Sequence, residues 1–103
     1  DVYKRQLHPL ESAIGYEGKG DFFVDEEGKL ARRGNAPSAP YVFTGVQLLH
    51  PRLFTQCPTG PFSMNILYDR DLTRVRGLLH DGSWLHVGDA SGLAQAEDWL
   101  NAR

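Results

Sequence analysis

The clearest apolar run is Tyr41-Val42-Phe43-Thr44-Gly45-Val46-Gln47-Leu48-Leu49. It is rich in aromatic and β-branched residues and nearly continuous in apolar character, which predicts a strand buried on both faces. Gly45 inside it points to a close approach of backbone or ligand. Ahead of it, Phe22-Phe23-Val24 and Leu30-Ala31-Arg32 flank the turn sequence Asp25-Glu26-Glu27-Gly28-Lys29 and predict a β-hairpin over residues 21–33. The glycine-dense stretch through Gly15, Gly18 and Gly20 predicts a loop across 7–20, and the Gly/Pro/Ser-rich stretch 34–40 predicts a second.

Past the long strand, His50-Pro51 ends the run, and Pro51 suits the first turn of a short helix through Phe54. Ser63 is placed to cap a helix to about Arg74, with Met64, Leu67, Tyr68 and Leu72 as its apolar stripe. Asp81-Gly82 lies between two apolar runs, 77–80 and 83–87, and predicts a second hairpin with a type I′ turn. Asp89 or Ser91 then caps a last helix whose buried stripe is Leu93, Ala96, Trp99 and Leu100. Hairpin, long strand, helix, hairpin and helix make an α/β arrangement in a single domain, without repeats. The strands are too apolar for so few covering elements.

Composition narrows the function classes. The 103 residues are 41% apolar and 23% charged, with a formal net charge of -2, which is ordinary for a globular domain and offers no basic stripe for nucleic acid. No apolar run reaches the roughly 20 residues of a membrane span, so no membrane partner is expected. The single Cys57 allows neither an intrachain disulfide nor a cysteine-based metal site, and it fits a reducing compartment. Residues 1–6, Asp-Val-Tyr-Lys-Arg-Gln, match the translation of a transposase-end sequencing adapter; they are set apart from the domain of residues 7–103.

Chemistry read from the residues alone is sparse. His8, His50, His80 and His86 show no HExxH spacing, and no G-x-S-x-G elbow is present. The glycine-rich stretch ends Lys19-Gly20, not the Lys-Ser/Thr of a phosphate loop. His80 and His86 flank the second hairpin and are able to approach each other. Arg32-Arg33 are suited either to a bidentate phosphate grip or to a solvated hairpin end.

Three segments in order carry a resemblance: Gly20-Asp21-Phe22-Phe23; Tyr41 through Phe54; and His80-Asp81-Gly82-Ser83-Trp84-Leu85-His86-Val87-Gly88-Asp89 followed by Leu93-Ala94-Gln95-Ala96-Glu97. Together they resemble the C-terminal part of the sugar-1-phosphate nucleotidyltransferases, nearest the N-acetylmuramate-1-phosphate uridylyltransferase branch. The resemblance implies a Rossmann-like, GT-A-like mixed sheet with helices on both faces. It also implies a cytoplasmic enzyme of nucleotide-sugar biosynthesis and cell-wall recycling that takes a nucleoside triphosphate and a sugar-1-phosphate with Mg²⁺. The family's G-x-G-x-R loop and first metal-binding Asp would lie ahead of residue 7, so these residues alone are expected to be inactive. Asp21, Thr44 and Gly45 fall where the family lines its sugar pocket, and Arg33 or Arg32 falls near its sugar-phosphate contact. His86 stands where the family places a metal-binding Asp in Trp-x-Asp-x-Gly. Imidazole is a poor Mg²⁺ ligand, so the catalytic place implied for His86 is contact with metal-bound water or phosphate. Its side chain is expected to face the cleft of Gly20, Asp21 and Thr44, with a packed histidine as the alternative. A hexose-1-phosphate (mannose or glucose) guanylyl- or uridylyltransferase and a non-catalytic nucleotidyltransferase-like binding module are the competing readings.

Overall fold

A computed structural model describes residues 3–70 and 72–103. Five strands form one mixed sheet: β1 (Tyr3–Pro9), β2 (Phe22–Val24), β3 (Leu30–Arg32), β4 (Tyr41–Leu48) and β5 (Val75–Leu79), in the spatial order β3-β2-β4-β1-β5. β1 runs antiparallel to β4 and parallel to β5. The connection between β4 and β5 carries a 3-10 turn at Pro51–Phe54 and helix α1 (Met64–Arg70). Helix α2 (Ala90–Asn101) follows β5. An α/β mixed sheet is thus what forms.

The core lies on the face of the sheet that α1 covers. Tyr3 and Leu7 of β1, Phe22, Leu30 and Val75 pack with Leu53, Leu67 and Tyr68. Alternation explains the choice: Tyr3, Arg5 and Leu7 project to this face, while Gln6 and His8 project to the other. Met64 and Leu72 join the core edge, as the helical stripe predicts. The sheet curls there. Lys29 bridges Arg76, and Gly77 N–H donates to Gly28 O (2.8 Å), so the β2–β3 turn closes against the far edge of β5. Gly77 makes room for this, since a Cβ would sit 2.9 Å from Leu7 Cδ1 and 3.0 Å from Leu30 Cδ2.

Several expectations hold. The first hairpin has the register Phe22↔Arg32, Phe23↔Ala31 and Val24↔Leu30. The 3-10 turn spans Pro51–Phe54, and Asp89 caps α2 by accepting from Gly92 N–H at 2.7 Å. Others need correction. Residues 7–9 belong to β1 instead of a loop, and Tyr3–Gln6, set apart from the fold on sequence, supply the rest of that central strand. Residues 1 and 2 of that segment lie outside the described residues. The second hairpin does not form. Gly82 does not take the positive φ that a type I′ turn requires, and 83–87 leave the sheet, with Leu85 making one bridge to Ile14. β5 finds its partner in β1, seventy residues away in sequence, which a local turn signal cannot reveal. The stripe on α2 is also not buried as a unit: Gly92 and Ala96 are covered, while Leu93 is 49% and Leu100 60% exposed. β4 is buried only in its first half.

Candidate functional site

Where the hairpin meets β4 and β1, the chain encloses a cavity of about 380 Å³ lined by Arg5, Gly20, Asp21, Phe22, Arg32, Arg33, Gly34, Phe43 and Asn65. Gly20 shapes its entrance. Its φ is +86°, and a Cβ would lie 2.1 Å from Ala39 O, so only glycine brings the 19–21 segment this close to the 36–40 loop. Asp21 then bridges the strands. Its N–H donates to Tyr41 O (2.7 Å), its carbonyl accepts from Arg33 N–H (2.9 Å), and its Oδ2 accepts from Phe43 N–H (2.9 Å).

Three arginines make the lining cationic. Arg33 donates from Nε to Gly20 O and from Nη1 to Ala36 O, both 3.1 Å, which fixes the guanidinium plane and leaves its other N–H groups for a ligand. Arg32 pairs with Asp69 of α1 through Nε at 2.8 Å on an exposed rim. Arg5 is 5% exposed and lies between rings, 3.8 Å from the Phe43 centroid, 4.0 Å from Tyr68 and 4.9 Å from Phe22. Its Nε and Nη1 are buried without a hydrogen-bond partner. Burial pushes the Arg5 guanidinium below its ordinary range, against the attraction of Tyr68. Burial pushes the Tyr68 phenol up, and Arg5 opposes it. The Tyr68 hydroxyl donates to Gln47 Oε1. Such a cavity can hold an oxyanion against its guanidinium groups and sugar-type hydroxyls against Asp21 and Asn65.

The structure brings Asp21, Arg32 and Arg33 together but not the rest of the expected set. Thr44 faces the opposite side of the sheet, where its hydroxyl donates to Gln6 Oε1 at 2.7 Å. Gly45 is exposed, with φ +97° and no atom within 4 Å of a built Cβ. His86 does not line the cavity. Its exposed ring sits 5.9 Å from Tyr16 and 5.8 Å from Trp84. Tyr16 is the link between the two regions, since its hydroxyl accepts from Gly20 N–H at 3.3 Å. Arg5, Phe43 and Asn65 were not anticipated as lining. The alternation Tyr3-Arg5-Leu7 was the available signal for Arg5.

His80 pairs with His8 and not with His86. Ser12 Oγ lies 3.0 Å from His8 Nε2, and His8 Nδ1 lies 3.1 Å from His80 Nδ1, each a hydrogen bond whose direction is set by the ring tautomers. The pair ties the end of β5 to β1, and His8 packs against Trp84.

Among the described residues, no group of three or more His, Cys, Asp or Glu side chains assembles that would hold a metal. His86 offers one imidazole, and the Asp89 carboxylate is engaged by the α2 N-terminus. Among the described residues, His86 and Asp89 thus do not make the set of carboxylate and water oxygens that Mg²⁺ takes. No helix among the described residues is long and apolar enough to cross a membrane.

No protein-family profile matches the chain. The chain is similar to N-acetylmuramate alpha-1-phosphate uridylyltransferase of Caulobacter vibrioides, with 33% identity over 93 residues. The match covers 88% of this chain and 38% of that relative's length. At this modest identity the similarity supports a relationship to the nucleotidyltransferases, a group of transferases.

Proposed function

We propose that a longer protein containing these residues transfers a nucleotidyl group from a nucleoside triphosphate to a sugar-1-phosphate and releases pyrophosphate, with UTP and an N-acetylmuramate-1-phosphate-like sugar as the substrates. The observation that carries this reading is the cationic cavity of Asp21, Arg32 and Arg33, set in the part of the chain that is similar to the uridylyltransferase. In the proposed reaction the sugar-phosphate oxygen attacks the α-phosphate in line, so catalysis is mostly positioning and charge stabilisation.

In this reading the free N–H groups of Arg33 hold the sugar-1-phosphate. Asp21, with one carboxylate oxygen held by Phe43 N–H, orients a sugar hydroxyl with the other. Gly20 keeps the two segments close enough for both contacts. Mg²⁺ supplies charge neutralisation in this chemistry. Its ligands, and the loop that cradles the triphosphate, are proposed to lie outside these 103 residues, so the chain alone is expected to be inactive. His86 and Thr44 then serve Trp84 and β1, respectively, in preference to the sugar pocket.

The test is pyrophosphate release by the longer protein, with UTP and GTP against N-acetylmuramate-, glucose- and mannose-1-phosphate. Turnover with UTP and N-acetylmuramate-1-phosphate is expected. Turnover restricted to a hexose phosphate would move the assignment to the hexose-1-phosphate enzymes, and no turnover would overturn it. A second reading, a nucleotidyltransferase-like binding module without catalysis, is favoured by one observation: His86 stands where the family's Trp-x-Asp-x-Gly carries its metal-binding Asp. An intact G-x-G-x-R loop and an upstream Asp in the longer protein decide against it.

A further inference from the structure

His8 is 1% exposed, and both of its ring nitrogens are engaged. Nε2 meets Ser12 Oγ at 3.0 Å, and Nδ1 meets His80 Nδ1 at 3.1 Å. His80 lies just past β5 and is half-buried, with its Nε2 over Gly82, where a Cβ would stand 3.1 Å away. The pair sits within a set of backbone bonds that join residues 7–14 to residues 80–86. His80 N–H donates to Leu7 O (2.8 Å), Ile14 N–H to Trp84 O (3.1 Å) and His86 N–H to Ile14 O (2.7 Å). Among the described residues, His8–His80 is the one side-chain hydrogen bond between these two segments.

A contact between two Nδ1 atoms at this distance holds one proton. With none, two lone pairs oppose each other; with two, the N–H groups collide. Two neutral rings meet the condition, because one presents Nδ1–H and the other a bare Nδ1. One imidazolium beside one neutral ring meets it too. Two imidazolium rings do not: each Nδ1 is then a donor, and the positive charges lie side by side with His8 cut off from water. Imidazoles change charge between about pH 5 and 8, and two this close take up protons as a unit. The surrounding groups do not offset a second charge. Ser12 is neutral, Val42 is the β4 partner of His8, and Trp84 packs on the His8 ring at 5.8 Å. Glu11 and Asp81, the carboxylates nearest along the chain, are exposed, and among the described residues neither forms an ion pair with a histidine. Tyr16 and His86 meet the Trp84 ring and each other.

We propose that the His8–His80 contact is an acid-released latch: a second proton on the pair breaks the Nδ1···Nδ1 bond and frees residues 80–86, with Trp84, from residues 7–14, while the sheet stays folded. The latch is shut at neutral pH and opens as pH falls. Release without unfolding follows from the layout. Residues 80–86 lie beyond the last paired residue of β5, and Leu85 makes a single bridge, to Ile14. The core of Tyr3, Leu7, Val75, Leu67 and Tyr68 lies on the opposite face of β1 from His8 and takes nothing from them. Trp84 packs beside Tyr16, whose hydroxyl holds Gly20 N–H at the cavity entrance, so the freed segment borders that entrance. The proposal stands on the ring geometry and does not depend on the activity.

The experiment reads amide hydrogen exchange of the 103-residue chain by NMR, corrected for intrinsic rates, from about pH 8 to about pH 5. Protection of the Ile14 and His86 amides, which bond across the two segments, is expected to fall at least about tenfold, while amides paired between β1 and β5 keep theirs. No fall at Ile14 and His86, or an equal fall throughout the sheet, would overturn the proposal. His80→Phe keeps an aromatic ring and takes up no proton, so protection at these two amides should no longer depend on pH. A fall of the parent's size in that variant would assign the effect to other groups and sink the latch. His86→Gln removes the imidazole beside Trp84 and should keep the fall at Ile14; its disappearance there would likewise count against the pair. Ring-nitrogen NMR of the unaltered chain needs no variant. The second Nδ1 is expected to gain its proton in step with the loss of protection, and both Nδ1 atoms protonated with Ile14 still protected would refute the latch.

Discussion

Replacing Arg5 by Met should stabilise the chain, although it removes three cation–ring contacts. Arg5 sits at a core position of β1 with Nε and Nη1 unpaired. Each orphaned donor of a buried group costs about 1–3 kcal/mol, with more for a charged one. The contacts to Phe22, Phe43 and Tyr68 return about 0.5–2 kcal/mol each. These terms nearly cancel, so the outcome is decided by the alternative occupant. A flexible apolar side chain of similar length fills the same space between rings without desolvating a charge. Exchanges of buried ionic groups for apolar ones range from neutral to about 4 kcal/mol stabilising. We expect a gain of about 1–2 kcal/mol for Arg5→Met, at roughly 4–8 °C of melting temperature per kcal/mol. Arg5→Lys should fall on the other side, because a hydrated ammonium loses the planar stacking and keeps the desolvation cost. Urea melts followed by tryptophan fluorescence and thermal melts by circular dichroism measure both variants. A fall of 4 °C or more for Arg5→Met would show that the ring contacts, or an unseen partner for the guanidinium, outweigh the orphaned donors.

Gly20→Ala must move a backbone, since the new Cβ would meet Ala39 O at 2.1 Å with φ at +86°; a loss of about 2 kcal/mol or more is expected in the same melts. Asp89→Ala removes the cap on Gly92 N–H and should cost about 1 kcal/mol. Its helicity loss at 222 nm should be confined to α2, while Asp89→Asn retains most of the signal. The raised Tyr68 phenol sets an alkaline limit. The folded state holds the phenolic proton more tightly than the unfolded chain does. Its contribution is therefore complete below the ordinary value of 10.0 and is lost as pH rises above it. Denaturant midpoints from pH 9 to 11.5 should fall more steeply for the parent than for Tyr68→Phe, and parallel curves would refute this.

Local chemistry was enough to place the first hairpin, β4, the Pro51 turn, the Asp89 cap and the core stripe of α1. Each depends on residues a few positions apart: a turn flanked by apolar runs, a proline at a first turn, a carboxylate three residues before the N–H it accepts. Asp21 and Arg33 were likewise legible as candidates, and the hairpin register brings their backbones into contact at 2.9 Å. Tertiary structure alone decided the rest. Asp81-Gly82 carried a hairpin signal, but β5 gains more by pairing in parallel with β1 against Leu7 and Leu30, and a pairing across seventy residues leaves no local trace. That choice sends His86 out toward Tyr16 and Trp84 and gives His80 to His8. Side-chain direction along β4 turns Thr44 away from the cavity that Phe43 and Asp21 line, because neighbouring residues of a strand face opposite sides. The burial of β4 was read from its apolar run, yet burial depends on what lies beside a strand, and residues 45–48 have a neighbour on one side only.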